Sequence, residues 1–233
     1  MISLLYRLRA FTCIFFLFFP WCVCVANFAG GTKHINLSFA ACGFLGIYHL
    51  GAASAFCKHG QKLLKDVKAF AGASAGSLVA SVLLTAPEKI EECNQFTYEF
   101  AEETRRQSFG AVTPGYDFMA RLRRGMESIL PPNAHQLAHS RLHVSITSTR
   151  TGKNALVSSF SSREDLIQVL LASSFLPFYA GLKPVEYKGQ VSVANLVRLS
   201  HALFPPGKQE MESLYHRGFR DTVGFLLKEN WFE

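Results

Sequence analysis

Gly72-Ala73-Ser74-Ala75-Gly76 is the stretch of this chain whose residue types and spacing suit covalent chemistry. A short apolar run, residues 67–71, precedes it and a longer one, 78–84, follows it, so Ser74 falls where a buried strand turns sharply into a helix. That is the Gly-x-Ser-x-Gly pattern of a nucleophile elbow. A serine on so tight a turn has strained backbone angles, and only very small neighbours on either side avoid collision. The turn lifts the hydroxyl clear of the sheet and sets it at a helix N-terminus, where the dipole favours negative charge.

A second glycine-rich turn, Ala41-Cys42-Gly43-Phe44-Leu45-Gly46, also joins an expected strand (35–40) to an expected helix (47–59). It resembles the dinucleotide fingerprint with alanine at its first glycine, and Asp66 lies twenty residues beyond Gly46. A ribose-binding acid belongs at the far end of the second strand, whereas Asp66 precedes that strand, and a nucleotide site would leave Ser74 without a role. Backbone N–H groups free to point at one developing negative charge suit an oxyanion hole. The expected site is therefore Ser74 with Gly72, Ala73, Ala75 and Gly76 as its elbow, and residues 41–46 as the oxyanion hole. No metal or cofactor is expected. The eight histidines are scattered, and His135 and His139, four apart and expected to be exposed on a short helix, have no third ligand nearby. No histidine stands in a triad context. Asp165 is expected to belong to a helix cap, and Asp221 to the surface of the last helix.

Two strand–turn–helix units in succession predict an α/β fold with a parallel central sheet and ligands at the carboxyl ends of its strands. Gly60 closes the helix 47–59, and the next strand is expected over 65–71. Pro87 opens a helix over 88–107 with acids in its first turns. Phe118, Leu122, Met126 and Ile129 recur at helical spacing within 116–130, and the stripe is expected to be core. Residues 141–149 and 156–160 suggest a hairpin, and Ser162 opens a capping box before a helix over 166–173. Residues 175–180 are expected to be extended, 182–187 a further strand, and 193–204 and 209–229 helices. The resulting division is a hydrophobic segment 1–32, a catalytic-type domain 33–190 and C-terminal helices 191–233.

With 233 residues, 49% of them apolar and 18% charged, the chain has enough apolar sequence for one sizeable core and too little charge for disorder. The formal charge is +7, but no basic run is interleaved with aromatics, which argues against nucleic acid and for an anionic membrane surface. The pairs Arg105-Arg106 and Arg123-Arg124 are expected on solvated helix faces, with a lipid contact as the alternative. Arg7 and Arg9 precede an uncharged run from Ala10 to Ala26. That layout fits a signal peptide, a signal anchor or an alternative N-terminus without a sorting role. The segment beyond it retains Cys42, Cys57 and Cys93, an odd set, and its only glycosylation sequon, Asn36-Leu37-Ser38, lies in an expected core strand.

Residues 36–46 and 72–77 together resemble the patatin-like phospholipases, specifically their adiponutrin and adipose-triglyceride-lipase branch. The resemblance runs over about residues 33–190 and resumes through 195–233. It implies a patatin-like α/β sandwich and a lipid acyl hydrolase using a Ser–Asp dyad. Triacylglycerol and retinyl esters are the implied neutral-lipid substrates, with transacylation and phospholipase activity alongside hydrolysis. It also implies work at a membrane or lipid-droplet surface, with the endoplasmic reticulum or mitochondrion as further compartments. In the family the glycine-rich loop is the oxyanion hole, matching Ala41–Gly46, and the nucleophile matches Ser74. The catalytic base of the family sits in an Asp-Gly-Gly or Asp-Gly-Ala, and no Asp-Gly pair occurs in this chain. Relatives carry several tens of residues between the regions matching 187–190 and 195–197, which are joined here almost directly, leaving the C-terminal part of the sheet incomplete. The alternative reading is therefore a catalytically silent lipid-binding or regulatory variant.

Overall fold

Ile35, Leu37 and Phe39 alternate into the core, and the strand they form stands beside the one that leads to Ser74. The computed structural model describes residues 23–28 (as backbone), 34–148, 152–175 and 205–233. Five strands among these residues make one sheet in chain order: β1 (Val23–Phe28), β2 (His34–Phe39), β3 (Val67–Gly72), β4 (Leu142–Thr147) and β5 (Asn154–Val157). β2, β3 and β4 run parallel, while β1 and β5 pair antiparallel at the two ends. The expected parallel pairing of the two strands before the glycine-rich turns is thus present. β2 and β3 slip register between Ile35 and Asn36, where the Asn36 side chain accepts from the Ala69 N–H at 3.1 Å. The sequon asparagine is therefore spent inside the sheet.

Helices fill the connections. α1 (Ile47–His59) ends where the Gly60 N–H donates to the Phe56 carbonyl. A short α2 (Gln61–Asp66) follows, and its Lys65 and Asp66 replace the first two residues of the expected strand. At six residues with Leu63 its only buried side chain, α2 has no periodicity for a sequence pattern to reveal. α3 (Ala75–Thr85) packs against β2, β3, β4 and α7. Pro87 opens a 3-10 turn that passes into α4 (Ile90–Arg106), and Asp117 caps α5 (Phe118–Ile129) by accepting from the Ala120 N–H. α6 (Ala134–Ala138) precedes β4, and α7 (Arg163–Ser174) follows β5 behind the expected Ser162 cap, whose hydroxyl accepts from the Asp165 N–H. β5 starts two residues earlier than expected and ends at Val157, because the chain then leaves the sheet to bury Phe160. α8 (Lys208–Lys228) lies along α1.

That last packing is very close. A Cβ on Gly51 would stand 2.0 Å from the Tyr215 carbonyl oxygen, and one on Gly218 would stand 2.0 Å from that of Tyr48. α8 adds Met211, Leu214, Phe225 and Leu226 to the core that α1 and the sheet share. Of the apolar N-terminal run, residues 23–26 belong to β1, and no helix of the described residues is long and apolar enough to cross a membrane. The segment 1–22, the extended stretch 176–180, the strand at 182–187 and the helix at 193–204 lie outside the described residues.

Candidate active site

β3 delivers the chain to an elbow at Ser74, which adopts φ 53° and ψ −130°, angles an L-residue tolerates only when its surroundings impose them. The constraints are visible. The Ser74 carbonyl accepts from the Ser77 and Leu78 N–H groups at 2.9 and 3.2 Å and from the Ser77 hydroxyl at 2.6 Å. Its own N–H donates to Ser173 Oγ at 2.8 Å, and Ser173 in turn donates to the Ser145 carbonyl at 2.8 Å. The elbow is thereby tied to α7 and β4. A Cβ at position 76 would come within 2.3 Å of the Phe39 carbonyl oxygen, and one at position 72 within 2.5 Å of the Ser77 nitrogen. Both glycines are needed for close approach of backbone to backbone.

The second turn lies alongside. Gly43, at φ 55°, starts a 3-10 turn over Gly43–Gly46, with the Leu45 N–H donating to the Cys42 carbonyl. A Cβ on Gly46 would be 3.1 Å from that of Ala75, so the loop rests on the first residue of α3. Buried His49 places Nε2 3.0 Å from the Ala40 carbonyl oxygen, just before the turn, and meets Phe39 edge-on. Of the six loop residues, Gly43, Phe44 and Gly46 line the same cavity as Ser74, and Ala41, Cys42 and Leu45 do not.

This cavity has about 120 Å³ of free space for the centre of a water-sized sphere, on the scale of one that holds a benzene-sized apolar group. Its walls are Phe44 and faces of α3, α4 and α5. Phe100 lies 5.4 Å from Phe44 and 4.6 Å from Phe118, ring centre to ring centre. Of the expected stripe, Leu122, Met126 and Ile129 are buried and Phe118 is half-buried, and all four border this space. Polar groups are mostly withdrawn: Ser81 donates to the Leu78 carbonyl and Thr97 to that of Cys93. Burial pushes the Cys93 thiol up to about 12, so it remains protonated. Ser174 also borders the cavity, and its buried hydroxyl has no hydrogen-bond partner among the described residues.

The four aspartates are placed elsewhere. Asp66 is exposed at the end of α2, Asp117 caps α5, and Asp165 accepts from the N–H and hydroxyl of Ser161. Asp221 is half-buried, not a simple surface residue, and accepts from the Tyr48 hydroxyl at 2.7 Å. His135 is half-buried on α6, and only His139 is exposed as expected. No group of three or more potential metal ligands gathers among the described residues. Ser145, Ser173, Ser174 and the aromatic walls were not legible as site residues, since only the fold brings them to the elbow.

The arrangement provides a strained serine at a helix N-terminus, a glycine-rich turn and an apolar chamber. The patatin-like phospholipase family pattern matches residues 37–197. The human patatin-like phospholipase domain-containing protein 4 is 67% identical, with 86% of this chain and 100% of that protein aligned. The human 1-acylglycerol-3-phosphate O-acyltransferase PNPLA3 is 38% identical over 66% of this chain and 32% of its own length. The human omega-hydroxyceramide transacylase is 28% identical over 85% of this chain and 47% of its own length. This chain spans the whole of the first relative and half or less of the other two.

Proposed function

Because the chain belongs to the patatin-like phospholipase family, we propose that it is a serine lipid acyl hydrolase of the triacylglycerol lipase type. The observation that carries this reading is Ser74, held at a strained elbow on the wall of an apolar cavity that it shares with Gly43 and Phe44. Ser74 Oγ attacks the ester carbonyl carbon of a neutral lipid whose acyl chain lies among the phenylalanines. The Gly43 and Phe44 N–H groups hold the resulting oxyanion. The C–O bond to the alcohol breaks, the alcohol leaves with a proton, and an acyl-serine remains. Water then releases a fatty acid, or a second alcohol takes up the acyl group. Acyl transfer is what the names of two relatives describe. Triacylglycerol and retinyl esters are the substrates proposed, with phospholipids as a further class. The proposed setting is a membrane or lipid-droplet surface, including that of the endoplasmic reticulum or mitochondrion.

Deprotonation of Ser74 is the weak step. The chain has no Asp-Gly pair, and its four aspartates serve caps, a helix contact and the solvent. The alignment to the first relative runs over 252 residues, more than the 233 of this chain. These observations favour a second reading, a lipid-binding variant without turnover. Fluorophosphonate labelling together with triacylglycerol and retinyl-ester assays separates the two. Labelling that Ser74→Ala abolishes, with slow turnover, supports the enzyme. A folded chain that neither labels nor hydrolyses supports the silent binder.

A further inference from the structure

α4 starts beside α1 at the end of the molecule remote from Ser74, where Glu91 meets Ser54 and Lys58, and climbs to the end where Phe100 meets Phe44. The loop that follows, residues 107–117, therefore emerges on the same side as the elbow, and its far end passes directly into the cavity-lining Phe118. This loop is well ordered by its own bonds. The Phe109 N–H donates to Thr113 Oγ1 at 3.0 Å, that hydroxyl donates to the Gly110 carbonyl at 2.9 Å, and the Tyr116 N–H donates to the Thr113 carbonyl at 3.0 Å. Tyr116 and Thr104 hydroxyls stand 3.3 Å apart, pinning the loop to α4.

Within this frame the burial is inverted. Small Gly110 and Ala111 are interior, while Phe109 is 65% exposed and Val112 43% exposed. A fixed loop that holds two large apolar side chains in water gives up free energy that a solvent-facing role would not require. The charges nearby favour one occupant. Arg105 and Arg106 are exposed immediately before the apolar pair, and no acid occurs from 105 to 116. Of the acids adjoining the loop, Glu103 pairs with Arg121 at 2.8 Å and Asp117 caps α5, while Glu102 holds Arg106 in a solvent-exposed pair that a lipid phosphate displaces. On the same side, the β4–β5 hairpin presents exposed Lys153.

We infer that Phe109 and Val112 insert into the headgroup–acyl boundary of an anionic lipid surface, with Arg105 and Arg106 on the lipid phosphates, so that this loop docks the molecule with its cavity toward the lipid. An apolar wedge beside basic residues is the composition of an interfacial anchor. The inference rests on the reading of the site as one for lipid esters and adds the surface by which substrate is reached.

The test uses the full chain with Phe109→Trp and vesicles of phosphatidylcholine carrying brominated acyl chains, with and without phosphatidylserine. Bromine quenches only an indole that reaches the acyl region, and the parent chain, whose Trp21 lies in the N-terminal apolar run, supplies the baseline against which the added indole is read. Quenching beyond that of the native tryptophans is expected. In this background Arg105→Gln with Arg106→Gln is expected to raise the lipid concentration for half-maximal quenching about tenfold on phosphatidylserine vesicles, and little on phosphatidylcholine alone. No added quenching from Phe109→Trp overturns the inference. Equal quenching from Leu137→Trp, on a different exposed surface, overturns it as well. Fluorophosphonate labelling without lipid keeps the two readings apart. Labelled Ser74 without loop quenching leaves the enzyme and removes the dock, and loop quenching without labelling does the reverse.

Discussion

Ser74 occupies backbone angles that glycine alone adopts without strain, so its hydroxyl is retained against the preference of the chain. Ser74→Gly is expected to raise stability by about 1 kcal/mol in urea denaturation while ending fluorophosphonate labelling. Ser74→Ala ends labelling without that gain. The two serines at the end of α7 should behave oppositely. Ser173→Ala leaves the Ser74 N–H buried without its acceptor, costing about 1–3 kcal/mol and slowing labelling. Ser174→Ala removes a buried hydroxyl that has no partner among the described residues, so stability is expected to hold or rise slightly. The contrast also marks what the sequence could reveal. The Gly72, Ser74 and Gly76 pattern is local, and its steric reasons lie within one turn. Ser173 stands 99 residues from the serine it supports, and Ser145 a further 28 from Ser173, distances that only the sheet order closes.

Among the elements, α1, α3 and the β2–β3 pair were legible because glycine turns and apolar runs bound them clearly. α2 and the limits of β5 were not, since short pieces have no periodicity and their boundaries depend on what the core accepts. The α1–α8 contact was equally invisible, as glycines inside two helices carry no signal until the helices cross. Gly51→Ala and Gly218→Ala each drive a methyl into a carbonyl and are expected to cost about 1–3 kcal/mol, seen in urea and as faster proteolysis of α8. The same junction responds to acid. Burial pushes the Glu91 carboxyl up, but bonds from Ser54, Lys58 and Tyr215 outweigh it and leave it below its ordinary 4.5. A depressed carboxyl contributes stability above its unfolded value that is lost as the pH falls through the folded one. With the Glu91 side chain 56% exposed, that contribution is under about 1 kcal/mol. Glu91→Gln should flatten the acid limb of a stability–pH curve below about pH 4.5 and leave neutral stability little changed.

For the molecule as a whole, Ser74, its elbow and an apolar chamber stand together, and none of the four aspartates lines that chamber. Losing one catalytic group from a serine protease costs about 10⁴–10⁶ in turnover, the remainder coming from the oxyanion hole and binding. Inserting an Asp-Gly-Gly segment of a relative between Gln190 and Val193 should raise triacylglycerol turnover by a similar order, and Ser74→Ala in that chain should remove the gain. The close crossing of α1 and α8 has a different consequence, in time. Tyr48 and Asp221, partners in the finished molecule, are 173 residues apart, so the ribosome completes α1 long before its cover exists. At about 5–20 residues per second that interval is roughly 9–35 seconds. During it a helix buried from Ile47 to Phe56 in the mature fold has only a nascent chain and any attending chaperone to keep it from other hydrophobic surfaces.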